Sequence, residues 1–168
     1  TLVTQEHPHV RTALEDAYRV RVLSTVLAQI PLLQALDAEE RELIGAAMRT
    51  HSHPRGEIVL RRFDLAQELS VVIRGQLRVQ EADGTTSLLD EGHSFGAEAM
   101  CLPETSKIQV VAVTDAEALT IAHLDLLLLL EQHPLLRAKL AEQVERDLGQ
   151  PLPSRSASAR LSTLAPEA

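Results

Sequence analysis

The chain has 168 residues, 45% apolar and 24% charged, with 16 basic against 24 acidic side chains and a formal net charge of −8. That length suits one packed domain with short appendages. Three aromatic residues (Tyr18, Phe63 and Phe95) and the acidic balance argue against nucleic acid as a partner, since single strands need stacking platforms and duplexes need clustered Lys/Arg. From His9 to Ile30 the apolar residues Val10, Ala13, Leu14, Ala17, Val20 (with Val22 and Leu23), Leu27 and Ile30 recur at helical spacing, and Pro31 ends that helix. Asp37 is a predicted N-cap. Glu40, three residues on, completes a capping-box pair for a helix from Ala38 to about Met48.

After Thr50 the texture changes to short β-like runs: Glu57–Arg61, Leu69–Arg74, Gln76–Gln80, Thr85–Leu89, Lys107–Val113 and Ala116–Ala122. Turn signals separate them at Pro54-Arg55-Gly56, Gly75, Asp83-Gly84 and Glu91-Gly92. Asp83-Gly84 is a hairpin signal. Helix returns over His123–Gln132, breaks at Pro134 and resumes over Leu135–Leu148, before a Pro/Ser/Ala-rich tail that reads as a linker. The expected class is α+β, and the expected divisions are an N-terminal helical extension over 1–30, a β-roll domain with its helices over 31–148 and a tail over 149–168.

Cys101 is the only cysteine, so the chain has no intramolecular disulfide and no CxxC metal or redox motif; beside Met100 and Leu102 it reads as a small buried hydrophobe. The cytosol is the expected compartment. The longest unbroken apolar run, Leu126 to Leu130, falls far short of the roughly 20 residues a spanning helix needs, and no insertion into a membrane is expected. A first residue of Thr1 rather than Met points to a piece of a longer chain, and the high Ala/Leu/Arg content points to a GC-rich bacterial source.

Three segments carry possible chemistry. His51-Ser52-His53 with Glu57 has the spacing HxHxxxE and resembles the first metal motif of cupins. Gly45 falls inside a predicted helix, however, and the second cupin motif is missing, so a polar first strand with a Pro-Arg-Gly turn is expected and no metal. His93, Ser94 and Glu98 stand close together, but no nucleophile-elbow pattern surrounds any serine and no catalysis is expected. In Glu91 to Met100, a glycine precedes a short helix-forming stretch, an arrangement that brings backbone N–H groups up to an anion.

That last segment, with its neighbours, resembles the cyclic nucleotide-binding domain family of the catabolite-activator and protein kinase A regulatory-subunit type. Gly56-Glu57-Ile58 resembles the family's entry to its second strand. Asp64, Leu69, Val72 and Gly75 fall on the spacing GDxxxxLYxIxxG, with Phe63 in place of the first Gly and Ser70 in place of the Tyr. Leu89, Gly92, Phe95 and Gly96 match LxxGxxFGE, Ala99-Met100 matches the Ala-Leu of the phosphate-binding cassette, and Val110 and Ala112 match the strand after it. His133-Pro134 with Leu135 and Leu136 resembles the break between the last two helices. The resemblance spans residues 30–148. It implies N-terminal helices, an eight-stranded antiparallel β-roll of jelly-roll type and two closing C-terminal helices.

The resemblance also implies a ligand, cAMP or cGMP, held by Phe95, Gly96, Ala97, Glu98, Ala99, Ser106 and Lys107, with Leu136, Leu140 and Val144 of the last helix as lid. The family's ribose-binding Glu aligns with Ala97 and its phosphate-binding Arg with Ser106, and neither replacement makes the charge-assisted bonds of the original. Glu98 and Lys107 stand one residue away from each. Two readings follow: a regulatory or assembly domain of a larger host protein with weak or lost cAMP/cGMP binding, or a working sensor with substituted contacts. A homo-oligomer is a further possible partner state, since the stripe of residues 9–30 is either a dimerising face or packs on its own domain.

Overall fold

The computed structural model describes residues 19–154 except Val22; the predicted helical turns over residues 9–18 and the end of the tail lie outside the described residues. Residues 19–21 and 23–29 are helical and form α1, whose Leu23, Val26 and Leu27 are buried with Ile30. A 3-10 turn over Pro31–Leu33 leads to α2 (Ala38–Ala47). The capping box is present: the Asp37 carboxylate accepts from the Glu40 N–H at 2.8 Å, and the Glu40 carboxylate accepts from the Asp37 N–H at 3.0 Å.

Ten strands follow: β1 (Arg49–His53), β2 (Ile58–Leu60), β3 (Leu65–Ala66), β4 (Glu68–Arg74), β5 (Leu77–Gln80), β6 (Thr86–Leu89), β7 (Ser94–Phe95), β8 (Glu104–Thr105), β9 (Gln109–Ala112) and β10 (Ala116–Ala122). Two four-stranded antiparallel sheets, ordered β1-β10-β4-β7 and β2-β9-β5-β6, make the eight-stranded roll, and β3-β8 add a two-stranded ribbon. The short helix α3 (Ala97–Cys101) lies between β7 and β8; α4 (His123–Gln132) and α5 (Pro134–Leu148) close the fold. Pro134 is the first residue of α5 rather than a break before it, because a proline's missing N–H is no loss in the first turn of a helix.

Strand alternation sorts the interior into two cores. Leu69 and Val71 of β4, with Leu119 and Ile121 of β10, face the helices and meet Leu27, Leu33, Ile44, Met100, Leu126 and Leu130. Val72 and Ala116 face the inside of the roll, with Leu77, Val79, Val110 and Ala112. The helical core begins with α1, ahead of residue 31, and continues past α5 to Leu152, which is buried. Lys139 of α5 reaches the Glu40 carboxylate at 2.7 Å, so the last helix is tied to the capping box of α2.

Gly75, between β4 and β5, has φ +78, and a Cβ there would run into the Asp115 carbonyl and lie 2.8 Å from Ala116 Cα; Gly84, at the hairpin tip, has φ +90 with nothing within 4 Å. Gly75→Ala is therefore expected to lower the unfolding free energy by about 3 kcal/mol or more, from backbone strain plus overlap. Gly84→Ala, which adds strain alone, should cost about 1–2 kcal/mol. Urea unfolding of both variants checks this, and equal losses would contradict it.

Candidate functional site

The turn into α3 is set by Gly96. Its φ is +89, and a Cβ on it would collide with the Glu68 carbonyl oxygen, so only glycine lets β7 turn into α3 flush against β4. The first backbone bond of the helix runs from Met100 N–H to the Gly96 carbonyl at 2.9 Å. The N–H groups of Ala97, Glu98 and Ala99 therefore have no acceptor inside the helix. Ala97, Glu98 and Ala99 line a cavity of about 710 Å³ between the roll, α3 and the end of α1.

Phe95, Gly96, Ala97, Glu98, Ala99, Ser106 and Lys107 all border this one cavity. Its apolar wall includes Val59, Leu60, Leu65, Leu89 and Ile108, and its far side is Val26, Gln29, Ile30 and Pro31. Leu136, Leu140 and Val144 stand elsewhere. They are buried in the helical core and none lines the cavity, because α5 packs on the turn at Pro31–Leu33 and on α4. In this arrangement the end of α1 takes the flanking position.

The polar groups of the cavity are mixed in charge and partly engaged with the backbone. Ser106 is buried, and its hydroxyl donates to the Ile108 carbonyl at 2.8 Å while accepting from the Ile108 N–H at 3.1 Å. Its backbone is also committed, to Asp64 and Phe63 at 2.8 Å each. Phe63 holds φ +75, a left-handed conformation that is costly for a residue with a side chain. Glu68, Glu98 and Glu104 line the cavity against one lysine, Lys107, and all four are exposed. His93 also borders the cavity, with its Nδ1 2.8 Å from the Asp90 carboxylate. Ser94 lies in β7 and Glu98 on α3.

The other histidine segment is the polar first strand. His51 and His53 lie opposite Ala118 and Ala116 in the β1–β10 pairing, His53 Nδ1 is 2.9 Å from Glu57, and His51 is exposed. Among the described residues no cluster of three or more His, Cys, Asp or Glu side chains is placed to hold a metal, and no helix is long and apolar enough to cross a membrane.

Glu68, Glu104 and the α1 residues at the cavity are not apparent from sequence. Glu68 and Glu104 sit at the ends of strand segments where a charged residue is ordinary. The approach of α1 depends on packing across more than sixty residues of chain, visible as Val26 lying 3.9 Å from where a Cβ on Gly92 would stand.

Residues 50–133, half of the chain, match the family model of the cyclic nucleotide-binding domain. The chain belongs to the cyclic nucleotide-binding domain family. Within that family it is 32% identical over 92 residues to the cAMP-dependent protein kinase regulatory subunit of Schizosaccharomyces pombe, covering 54% of this chain and 22% of the relative. It is 29% identical over 123 residues to the cyclic AMP receptor protein of Thermus thermophilus, covering 70% of this chain and 57% of the relative. The chain thus spans between about a fifth and just over half of the length of these relatives. Its fold is similar to the crystal structure of the N-terminal domain of a transcriptional regulator from Streptomyces coelicolor, with a TM-score of 0.63 and 26% identity over 73% of this chain and 91% of that one.

A buried histidine behind α3 holds it in place. His123, the first residue of α4, donates its N–H to the Gln67 carbonyl at 2.8 Å, and its Nδ1 stands 2.5 Å from the Met100 carbonyl. A carbonyl only accepts, so Nδ1 carries the proton. Burial depresses the pKa of His123, partly countered by the Met100 carbonyl. The unfolded chain therefore binds the proton first, so stability is full above about pH 6.5 and falls as pH drops below it, by up to about 1.4 kcal/mol per pH unit from this residue. His123→Gln should flatten the difference in unfolding free energy between pH 7 and pH 5; an unchanged slope would contradict this. The Cys101 thiol is pushed up to about 12, by burial first and by the Glu98 charge second. Iodoacetamide at pH 8 should leave it unmodified in the folded protein and alkylate it in urea, as read by mass spectrometry.

Proposed function

We propose that this chain is a non-catalytic regulatory or assembly domain of a larger cytoplasmic protein, in which the family's cavity persists while its affinity for cAMP and cGMP is weak or lost. The observation that carries this reading is Ser106, buried where the family places its arginine, with its hydroxyl closed onto the Ile108 backbone. Ala97, where the family places its ribose-binding Glu, offers a methyl group to the same cavity. Losing a charge-assisted pair to the phosphate costs a few kcal/mol, about a hundredfold or more in affinity, and the three glutamates add to that loss. The names of the relatives, a kinase regulatory subunit and a receptor protein, support a non-catalytic role. Their greater length supports a host protein around the domain.

A second reading rests on Glu98 and Lys107, which border the same cavity. If these two stand in for the family pair, the domain is a cAMP or cGMP sensor with substituted contacts.

Calorimetric titration with cAMP and cGMP up to millimolar ligand, beside a thermal-shift scan, separates the two. The expected result is no saturable heat at micromolar ligand. Binding there would favour the sensor, because ligand at 100 times its dissociation constant adds about 2.7 kcal/mol of stability, and Glu98→Gln and Lys107→Ala should then abolish it. On the main reading, Ala97→Glu combined with Ser106→Arg should raise cAMP affinity about a hundredfold or more. A double variant as silent as the parent would place the defect elsewhere.

A further inference from the structure

The sheet β2-β9-β5-β6 ends on β6, which among the described residues pairs with β5 alone. The other strand edges among those residues are blunted. β1 is polar throughout, with Arg49, His51 and His53. β2 has three residues and an irregular register against β9, and β3, β7 and β8 have two residues each. In contrast β6, Thr86-Ser87-Leu88-Leu89, carries no charge and no proline, and its register with β5 is unbroken. An edge of that kind is a ready template for another strand.

The hydrogen-bond pattern fixes which groups of β6 are free. Glu81 N–H donates to the Thr85 carbonyl at 2.8 Å, so by antiparallel alternation Val79 bonds with Ser87 and Leu77 with Leu89. The Gln76 carbonyl accepts from Val113 N–H on the opposite side of β5, in the same phase. The N–H and carbonyl groups of Thr86 and Leu88 therefore point away from β5. Just beyond them the edge is closed. Thr85 N–H donates to the Asp83 carboxylate, Asp90 N–H donates to the His93 ring, and the Asp90 carbonyl accepts from His93 N–H. On the outer face, Ile58, Val111, Arg78 and Leu88 stand opposite one another in one row, and Leu88 at its end is 55% exposed.

We propose that β6 is a homodimer edge, pairing antiparallel with β6 of a second copy about a two-fold axis at Ser87. The free groups are self-complementary in that register. Thr86 and Leu88 lie equally far on either side of Ser87, so each N–H and carbonyl of Thr86 meets its counterpart on Leu88 of the other copy, and none is left over. Leu88 covers the Thr86 side chain opposite it and reaches Leu88 of the other copy diagonally. The paired strands bring no charges together, which matters for a chain of net charge −8. Asp83, Asp90 and Glu91 in the flanking turns limit the contact to this length. Two four-stranded sheets then join into one, and because each copy spends its unblunted edge the assembly stops at two. The contact is small, of the class that forms reversibly, and it does not depend on whether the cavity holds a nucleotide.

Sedimentation equilibrium of the full chain from about 1 to about 500 µM reads the proposal directly, because association follows mass action. A reversible monomer–dimer equilibrium is expected within that range. Leu88→Lys puts an ammonium group into the contact, and Thr86→Pro removes an N–H that the monomer does not use. Each should weaken the dimer about tenfold or more, with far-UV circular dichroism unchanged. Amide exchange read by NMR gives a second measurement: the Thr86 and Leu88 N–H groups should exchange more slowly in concentrated than in dilute protein, while Ser87 stays unchanged. A monomer over the whole range overturns the proposal. So does a dimer that both variants leave intact, or one in which Thr86 and Leu88 gain no protection, since the interface would then lie elsewhere.

Discussion

Gly96 brings its backbone against the Glu68 carbonyl more closely than any residue with a Cβ can, and much of the molecule is placed by that contact. It turns β7 into α3 and lays α3 on β4, beside the cavity. His123 then locks the far end of the same helix, taking the Met100 carbonyl with its ring and the Gln67 carbonyl with its backbone. The start of β4, the whole of α3 and the start of α4 are thus held at one point by a close approach and two hydrogen bonds. Protonating His123 charges a buried ring at this junction, which is why acid should loosen the fold here.

Around that point β4 and β10 divide the protein. Their alternate residues feed two separate cores, one shared with the helices and one inside the roll, while the Ser70 and Thr120 hydroxyls, 3.2 Å apart, satisfy each other between the strands. The helical core is the larger, and it gathers α1, α2, α4, α5 and Leu152 into one packed body. This has a consequence for the cavity: α5 spends its apolar face on the helical core, so Leu136, Leu140 and Val144 are absent from the cavity wall and the end of α1 stands there instead.

The cavity combines features that pull in opposite directions. Free amides at α3 favour an anion, and apolar side chains provide a wall for a flat ring. Its polar side chains comprise three carboxylates, one ammonium and a serine hydroxyl already engaged with the Ile108 backbone. A hydrogen bond that a short side chain makes locally costs little chain entropy, whereas reaching a ligand across the cavity requires a long planar fork such as arginine. Shape and charge have therefore parted: the hydrophobic framework that builds the family's fold is intact beside a lining that is weak in positive charge.

How much of this was legible follows from the range of each interaction. Signals carried within a few residues were readable: the capping box at Asp37 and Glu40, the Asp83-Gly84 hairpin, and the runs Ala116–Ala122 and His123–Gln132, whose ends match the structure. The two-residue strands β3, β7 and β8 were not, since two residues carry no period and form only because a partner strand lies beside them. The placement of Phe95, Gly96, Ala97 and Ser106 around one cavity was readable from spacing. By itself, then, the sequence determined the order of the longer elements and the family framework. Tertiary structure alone decided that Glu68 and Glu104 border the cavity, that Ser106 is closed on Ile108, and that α1 rather than α5 flanks the site. Those outcomes rest on contacts between residues far apart in the chain, where local propensity is silent and packing decides.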